Sequence, residues 1–230
     1  EMAADYVEKL RHLQPDGPYL LGGHSLGGVI VYEMARQLTA AGHQVALQAM
    51  FDSALTRSPE QAPSADGARD TDTRDLAAAA KTIARFMGKQ LASSYQEIRN
   101  LPLDNQIAHV LEDLGRADAL PFGEAHQMMR SLLNVSRAHV EARHAYHPAA
   151  SAVPVTLFRA RDAGSADDVP ADGDTALRQS LGWSALSPHP VRIFWVAGDH
   201  VTMMNEPHVG SLAESFRSCL SEAIRSSTGE

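Results

Sequence analysis

A serine held between glycines is the group in this chain best placed to do chemistry. Gly23-His24-Ser25-Leu26-Gly27 follows the apolar run Pro18-Tyr19-Leu20-Leu21-Gly22 and leads into Leu26–Ala41, where Val29, Ile30, Met34 and Leu38 recur at helical spacing. Strand, tight turn and helix in that order form the setting of a nucleophile elbow, Gly-x-Ser-x-Gly. The turn strains the serine backbone, so its hydroxyl stands clear of the chain. Gly23 and Gly27 carry no side chains, so the turn can pack tightly and a substrate can approach. The helix N-terminus turns partial positive charge toward the point where an oxyanion would develop, and Leu26 N–H is the expected donor there.

A serine hydroxyl is a poor nucleophile unless a base takes its proton and an acid orients that base. The expected base is His200. It comes directly after the strand-like run Val191-Arg192-Ile193-Phe194-Trp195-Val196, in Ala197-Gly198-Asp199-His200, and so can lean over the carboxyl end of a sheet. His208 is its rival, but it follows Pro207 and is expected to open the closing helix. The acid has two candidates at carboxyl ends of strands. Asp52 ends Val45–Phe51 and Asp162 follows Val153–Phe158. Either could instead cap a turn or helix, and pattern alone does not separate them. His139, His144 and His147 suggest a metal at first sight. No acidic or cysteine partner completes such a set, so solvated helix positions are the expectation and no metal is assigned.

These residues need a scaffold, and the sequence supplies one in two pieces. The first runs from Glu1 to about Ala54 and holds helix, strand, elbow, helix and strand; it resumes near Ala152 and runs to the end. Between them, residues 56–150 form an insertion. Thr56–Thr73 has loop composition. Helical patterns follow over Asp75–Leu91, Leu103–Leu114 and Gly123–Tyr146. Arg161–Thr175, rich in Asp and Gly, reads as an exposed loop. The whole, residues 1–230, is expected to be one domain: 44% hydrophobic and 21% charged residues are ordinary for a globular chain. A net charge of −8 argues against nucleic acid and anionic membranes as partners, and no apolar run is long enough to span a bilayer. The single Cys219 excludes an internal disulfide and suits a reducing cytoplasm.

Several segments together resemble the thioesterase domain that ends nonribosomal peptide synthetases and many polyketide synthases. They are Gly17–Gly28, Val31–Leu38, Phe51-Asp52-Ser53, Thr156–Ala160, Gly182-Trp183 and Gly198–Met204. The resemblance implies an α/β-hydrolase fold: a mostly parallel sheet with helices on both faces and an inserted helical lid. It places the acid after the strand that follows the elbow helix, at Asp52. It implies release of a peptidyl or polyketide chain through a Ser25-linked acyl-enzyme, by hydrolysis or macrocyclisation. The substrate would arrive on the phosphopantetheine of an upstream peptidyl or acyl carrier protein, with no cofactor bound by the domain itself. The middle of the chain becomes a lid over the site, with Met128, Met129, Met87, Phe86 and Phe122 available to line an apolar chamber.

The chain departs from that family at its start. The resemblance implies strands, and a loop giving a second oxyanion-hole N–H, ahead of the helix that begins at Glu1. The expectation is therefore an N-terminally incomplete domain, with a separate segment completing the fold. Three other functions compete: a stand-alone editing thioesterase, a carboxylesterase acting on small esters, and a non-catalytic hydrolase-fold binding protein. The last is disfavoured because Ser25, Asp52 and His200 are all present.

Overall fold

The computed structural model describes residues 1–55, 101–113, 115, 122–162 and 175–228. The chain divides into two compact units, Glu1–Arg57 with His147–Glu230, and Ser58–Tyr146.

In the first unit the described strands and α-helices are α1 (Met2–Leu13), β1 (Tyr19–His24), α2 (Leu26–Ala40), β2 (Val45–Phe51), β3 (Thr156–Ala160), the short α5 (Thr175–Gln179), β4 (Arg192–Val196) and α6 (Val209–Thr228). The strands form one sheet in the order β1-β2-β3-β4, every pairing parallel. β1 lies at its edge, and β2 is its one strand neighbour among the described residues. Alternation along the strands sends successive side chains to opposite faces. Leu20 pairs with Leu47 and Leu21 with Gln48, which fixes which residues share a face. On one side Leu47 and Ala49 join Phe158, Ala160 and Val196 against Leu212, Cys219 and Ala223 of α6. On the other, Tyr19 and Leu21 pack with Ala3 of α1 and with Val31, Met34, Ala35 and Leu38 of α2. Helices thus cover both faces. Each fully buried Leu or Phe in these layers contributes about 1.5–3 kcal/mol.

The expected strands are all found, β2 with the expected bounds and the others with shifted ends. β1 continues through Gly22 and Gly23 to His24, because the ladder with Ala49, Met50 and Phe51 holds those glycines extended. β3 begins at Thr156, after Pro154, which has no N–H to give a ladder. It runs on to Ala160, paired with Val196. Cys219 is buried among the α6 contacts, and burial pushes its thiol pKa up, which suits packing rather than reactivity.

The second unit has two described helices, α3 (Leu103–Asp113) and α4 (Phe122–Ala145). Ile107, Val110 and Leu111 are buried on α3, as are Ala125, Met129 and Leu133 on α4, both sets at helical spacing. Arg130 pairs with Asp104, and the His126 Nε2–H donates to the Asp104 carbonyl oxygen at 2.9 Å. The helical pattern at Asp75–Leu91, with Phe86 and Met87, lies outside the described residues, as do the loop at 56–73 and residues 163–174. Among the described residues no helix is long and apolar enough to cross a membrane, and no cluster of His, Cys, Asp or Glu could hold a metal ion. His139 and His147 are exposed.

Candidate active site

Three carboxyl ends of the parallel sheet converge on one spot. β1 delivers Ser25, β2 delivers Asp52, and the loop after β4 delivers His200. Parallel pairing makes this possible, because it brings the ends of sequence-distant strands to the same edge of the sheet. His200 Nδ1–H donates to Asp52 Oδ2 at 2.9 Å, and Ser25 Oγ–H donates to His200 Nε2 at 3.0 Å. The directions follow from the groups: a carboxylate only accepts, so Nδ1 carries the hydrogen and Nε2 keeps the lone pair. The Asp52 side chain is fully buried while that of His200 is 33% exposed, so the acid is shielded and the imidazole can reach incoming atoms. His208 and Asp162, the rivals in the sequence, are elsewhere. The His208 ring packs beside Gly198, and Asp162 is exposed, its N–H bonded to the Gly198 carbonyl oxygen at 3.1 Å.

The local backbone explains why these residue types stand where they do. Among the described residues, three other than glycine have positive φ: Ser25 at 55°, Asp52 at 42° and Leu181 at 52°. Two of the three are in the site. Such conformations cost about 1–2 kcal/mol each and persist only where surroundings hold them. Ser25 N–H donates to Phe51 O at 3.0 Å, and Gly28 N–H donates to Ser25 O at 3.1 Å. Asp52 is held three ways: its N–H donates to Phe158 O at 2.8 Å, its Oδ1 accepts Ala160 N–H at 3.1 Å, and Oδ2 takes the His200 bond. Leu26 opens α2, where a helix leaves its first N–H groups without partners inside the helix.

The glycines divide differently from the motif. A Cβ on Gly23 would stand 2.2 Å from the Gly27 carbonyl oxygen, and one on Gly28 would stand 2.4 Å from Ser53 Cβ. A Cβ on Gly27 would meet nothing within 4 Å among the described residues. Close packing of the elbow therefore rests on Gly23 and Gly28, and the expected packing role of Gly27 is corrected.

Further residues steady the site without a motif to announce them. Asp199 Oδ1 accepts Val201 N–H at 2.9 Å and Thr202 N–H at 3.0 Å, while Thr202 Oγ1 accepts Asp199 N–H at 2.9 Å. These reciprocal bonds clamp the loop that carries His200. Asp-x-x-Thr after a strand is the sequence signal that would have found them. The Trp183 indole N–H donates to Ser53 O at 2.7 Å, next to Asp52, and its ring packs on Tyr32 at 4.9 Å between centroids. The buried Arg159 guanidinium donates to the carbonyl oxygens of Arg178 and Gln179 and lies 4.9 Å over the Trp195 ring. Burial pulls its pKa down, opposed by the charge of Asp52. Of the residues expected to meet substrate, Met129 is buried and Met128 is exposed within the second unit, and Phe86 lies outside the described residues.

A parallel sheet covered on both faces by helices, with a serine on a strained strand-to-helix turn, defines the α/β-hydrolase fold. Residues 1–220 match the thioesterase domain family, and the chain belongs to that family. It is similar to the inactive atromentin synthetase invA3 of Paxillus involutus, 24% identical over 224 residues, which make up 96% of this chain and 22% of that protein. Among solved structures it resembles holo-AB3403, a four-domain nonribosomal peptide synthetase bound to AMP and glycine. The TM-score is 0.75 and the identity 29%, covering 94% of this chain and 15% of the other. It also resembles the NocB thioesterase domain from the nocardicin cluster, with TM-score 0.56 and 25% identity, over 96% of this chain and 72% of that domain. The chain thus spans about a fifth of the synthetase and less than a sixth of the four-domain protein.

Proposed function

We propose that this domain releases an acyl chain, peptidyl or polyketide, from the phosphopantetheine arm of a carrier protein through an acyl-enzyme on Ser25. The observation that carries the reading is the unbroken line of hydrogen bonds from Asp52 through His200 to Ser25, in a chain of the thioesterase family. His200 Nε2 takes the hydroxyl proton as Ser25 Oγ attacks the thioester carbonyl, and Asp52 keeps the imidazole in the tautomer that can accept it. Leu26 N–H at the start of α2 faces the developing oxyanion. The tetrahedral intermediate collapses, the carbon–sulfur bond breaks, and His200 returns the proton to the departing thiol. Water, or a hydroxyl or amine within the acyl chain, then attacks the ester with His200 again as base; the bond from the acyl carbon to Ser25 Oγ breaks and His200 returns the proton to Oγ, giving a free acid or a ring. The carrier protein is the partner, and its arm is part of the substrate rather than a cofactor of the domain.

In the same reading residues 1–230 belong to one thioesterase domain, and residues 56–150 act as its lid. Met128, exposed on α4, offers apolar surface to the acyl chain, whereas Met129 is buried. A lid that excludes water would favour ring closure over hydrolysis.

A fluorophosphonate, read by intact mass and peptide mapping, tests the serine mechanism. Labelling at Ser25 that disappears in Ser25→Ala and falls sharply in His200→Ala is the expected result. An unlabelled, folded protein would overturn it and favour a non-catalytic binding domain. Acyl-pantetheine thioesters compared with short nitrophenyl esters test the substrate class. Faster turnover of the nitrophenyl esters, with no response to the pantetheine arm, would make the domain a carboxylesterase.

A further inference from the structure

His24 stands outside the serine–histidine–aspartate line and touches it twice. It ends β1, one residue before Ser25. Its Nε2–H donates to the backbone carbonyl oxygen of His200 at 2.8 Å. A carbonyl only accepts, so Nε2 carries the hydrogen, and in the neutral ring Nδ1 holds the lone pair. The two imidazoles also face each other, with centroids 4.7 Å apart and planes tilted by 30°.

The two contacts restrain different motions. The hydrogen bond fixes the main chain of His200, and the ring contact limits rotation of its imidazole. The Asp199–Thr202 bonds tie down the flanks of the loop without reaching the ring. The bond to Asp52 by itself would let the imidazole pivot about the Nδ1–Oδ2 line, and a pivot swings Nε2 away from Ser25 Oγ.

We propose that His24 is a positioning residue for the base: a neutral imidazole that pins the carbonyl of His200 and backs its ring, keeping Nε2 in line with Ser25 Oγ. The inference rests on the serine mechanism proposed above. Its chemistry favours a neutral ring at this place. His200 becomes an imidazolium during each proton transfer, and a second cation against its face would oppose that charge. Burial, and then the neighbouring His200, hold the pKa of His24 below the ordinary histidine value; its hydrogen bond to the His200 carbonyl and the charge of Asp52 act in the other direction. His200, from the loop after β4, and Asp52, from the end of β2, are the titratable groups that act on it.

Three substitutions separate the two contacts. His24→Gln keeps a donor and loses the ring; His24→Phe keeps a ring and loses the donor; His24→Leu loses both. One neutral hydrogen bond and one aromatic pair each correspond to about a fivefold effect on rate. The expected fluorophosphonate labelling rate at Ser25 is therefore about fivefold lower in the Gln and Phe variants. In the Leu variant it falls about twenty-five-fold if the contacts act independently. The second readout is the low-field proton resonance of His200 Nδ1–H bonded to Asp52. It should be sharp in the parent protein, retained in the Gln and Phe variants and broadened in His24→Leu. If the Leu variant fails to fold, the Gln and Phe variants decide the matter. A parent that labels normally, with variants that label equally fast, would overturn the positioning role. So would a folded His24→Leu variant that loses thermal stability while keeping the resonance and the pH profile of labelling, since that is a purely structural contribution. A parent that does not label at all overturns the serine mechanism instead.

Discussion

Substituting alanine at the elbow glycines separates the roles of residues that the motif treats alike. In Gly23→Ala the new Cβ stands 2.2 Å from Gly27 O, 2.3 Å from Gly27 C and 2.7 Å from Gly28 N. All three are main-chain atoms in the first turn of α2 and cannot swing aside as the tip of a side chain would. Raising 2.2 Å to a tolerable 3.0 Å opens the turn by about 0.8 Å. Ser25 sits inside that turn with its Oγ 3.0 Å from His200 Nε2. Misplacing a reacting group by about 1 Å costs about a hundredfold in rate. Overpacking adds about 1–3 kcal/mol of destabilisation, and each kcal/mol lowers Tm by about 2–4 °C in a chain of this size. Gly27→Ala introduces a methyl into open space on a helix and gains up to about 1 kcal/mol of helix propensity. Second-order labelling rates with a small fluorophosphonate, measured beside thermal melts, make the comparison. The expected result is a loss of at least about a hundredfold in Gly23→Ala and a near-parental rate in Gly27→Ala, with Tm unchanged or raised. Equal losses in both variants, or a Gly23→Ala protein that labels normally, would refute the packing argument.

Other substitutions and conditions test the rest of the site. Asp52→Asn should leave the fold intact and lower labelling by about four orders of magnitude, because an amide no longer enforces the productive tautomer; Asp162→Asn, at an exposed position, should leave the rate unchanged. Trp183→Phe removes the donor to the buried Ser53 carbonyl and should cost about 1–3 kcal/mol in denaturant unfolding, read as a lower midpoint with an unchanged slope. His24 has its folded-state pKa below its unfolded value of about 6.5, so the unfolded chain binds the proton more readily. The stability this contributes is present above pH about 6.5 and is lost as pH falls through the lower, folded value. Unfolding curves should show a loss on the acid side of neutrality that is reduced in His24→Phe, and identical curves for the two proteins would contradict that assignment.

Local signals carried most of the fold and the site into the sequence. The strand at Val45–Phe51 is a continuous apolar and β-favouring run, and it is found with those bounds. Ser25 was legible because an elbow needs strand, glycine, serine and helix in immediate succession. His200 was legible because it directly follows the last strand. Asp52 was different. Its pattern matched that of Asp162, and sheet order does not separate them either, because β3 and not β2 borders β4; the difference lies in the side chains, Asp52 being buried and bonded to His200 Nδ1 while Asp162 is exposed. His24 and Trp183 were illegible as contributors because their partners, the carbonyls of His200 and Ser53, are 176 and 130 residues away. A backbone carbonyl has no side-chain identity, so no motif marks it as a target. Gly28 was missed because the atom it makes room for, Ser53 Cβ, belongs to another strand end.

The insertion between β2 and β3 has a consequence for how activity arises during folding. Ser25, its strand and its helix come from one short stretch of chain, and Tyr19–His24 pairs with the next strand along, Val45–Phe51. Asp52 finds Ala160 only across 108 residues and His200 only across 148. Closing loops of that length is entropically costly, and such contacts form late and slowly compared with local ones. A refolding chain should therefore acquire its elbow early and become reactive only when the far strands dock. Recovery of Ser25 labelling then becomes a clock for the last long-range closure, trailing the return of helical signal, and a nascent chain stays chemically silent until the segment that carries His200 has been made.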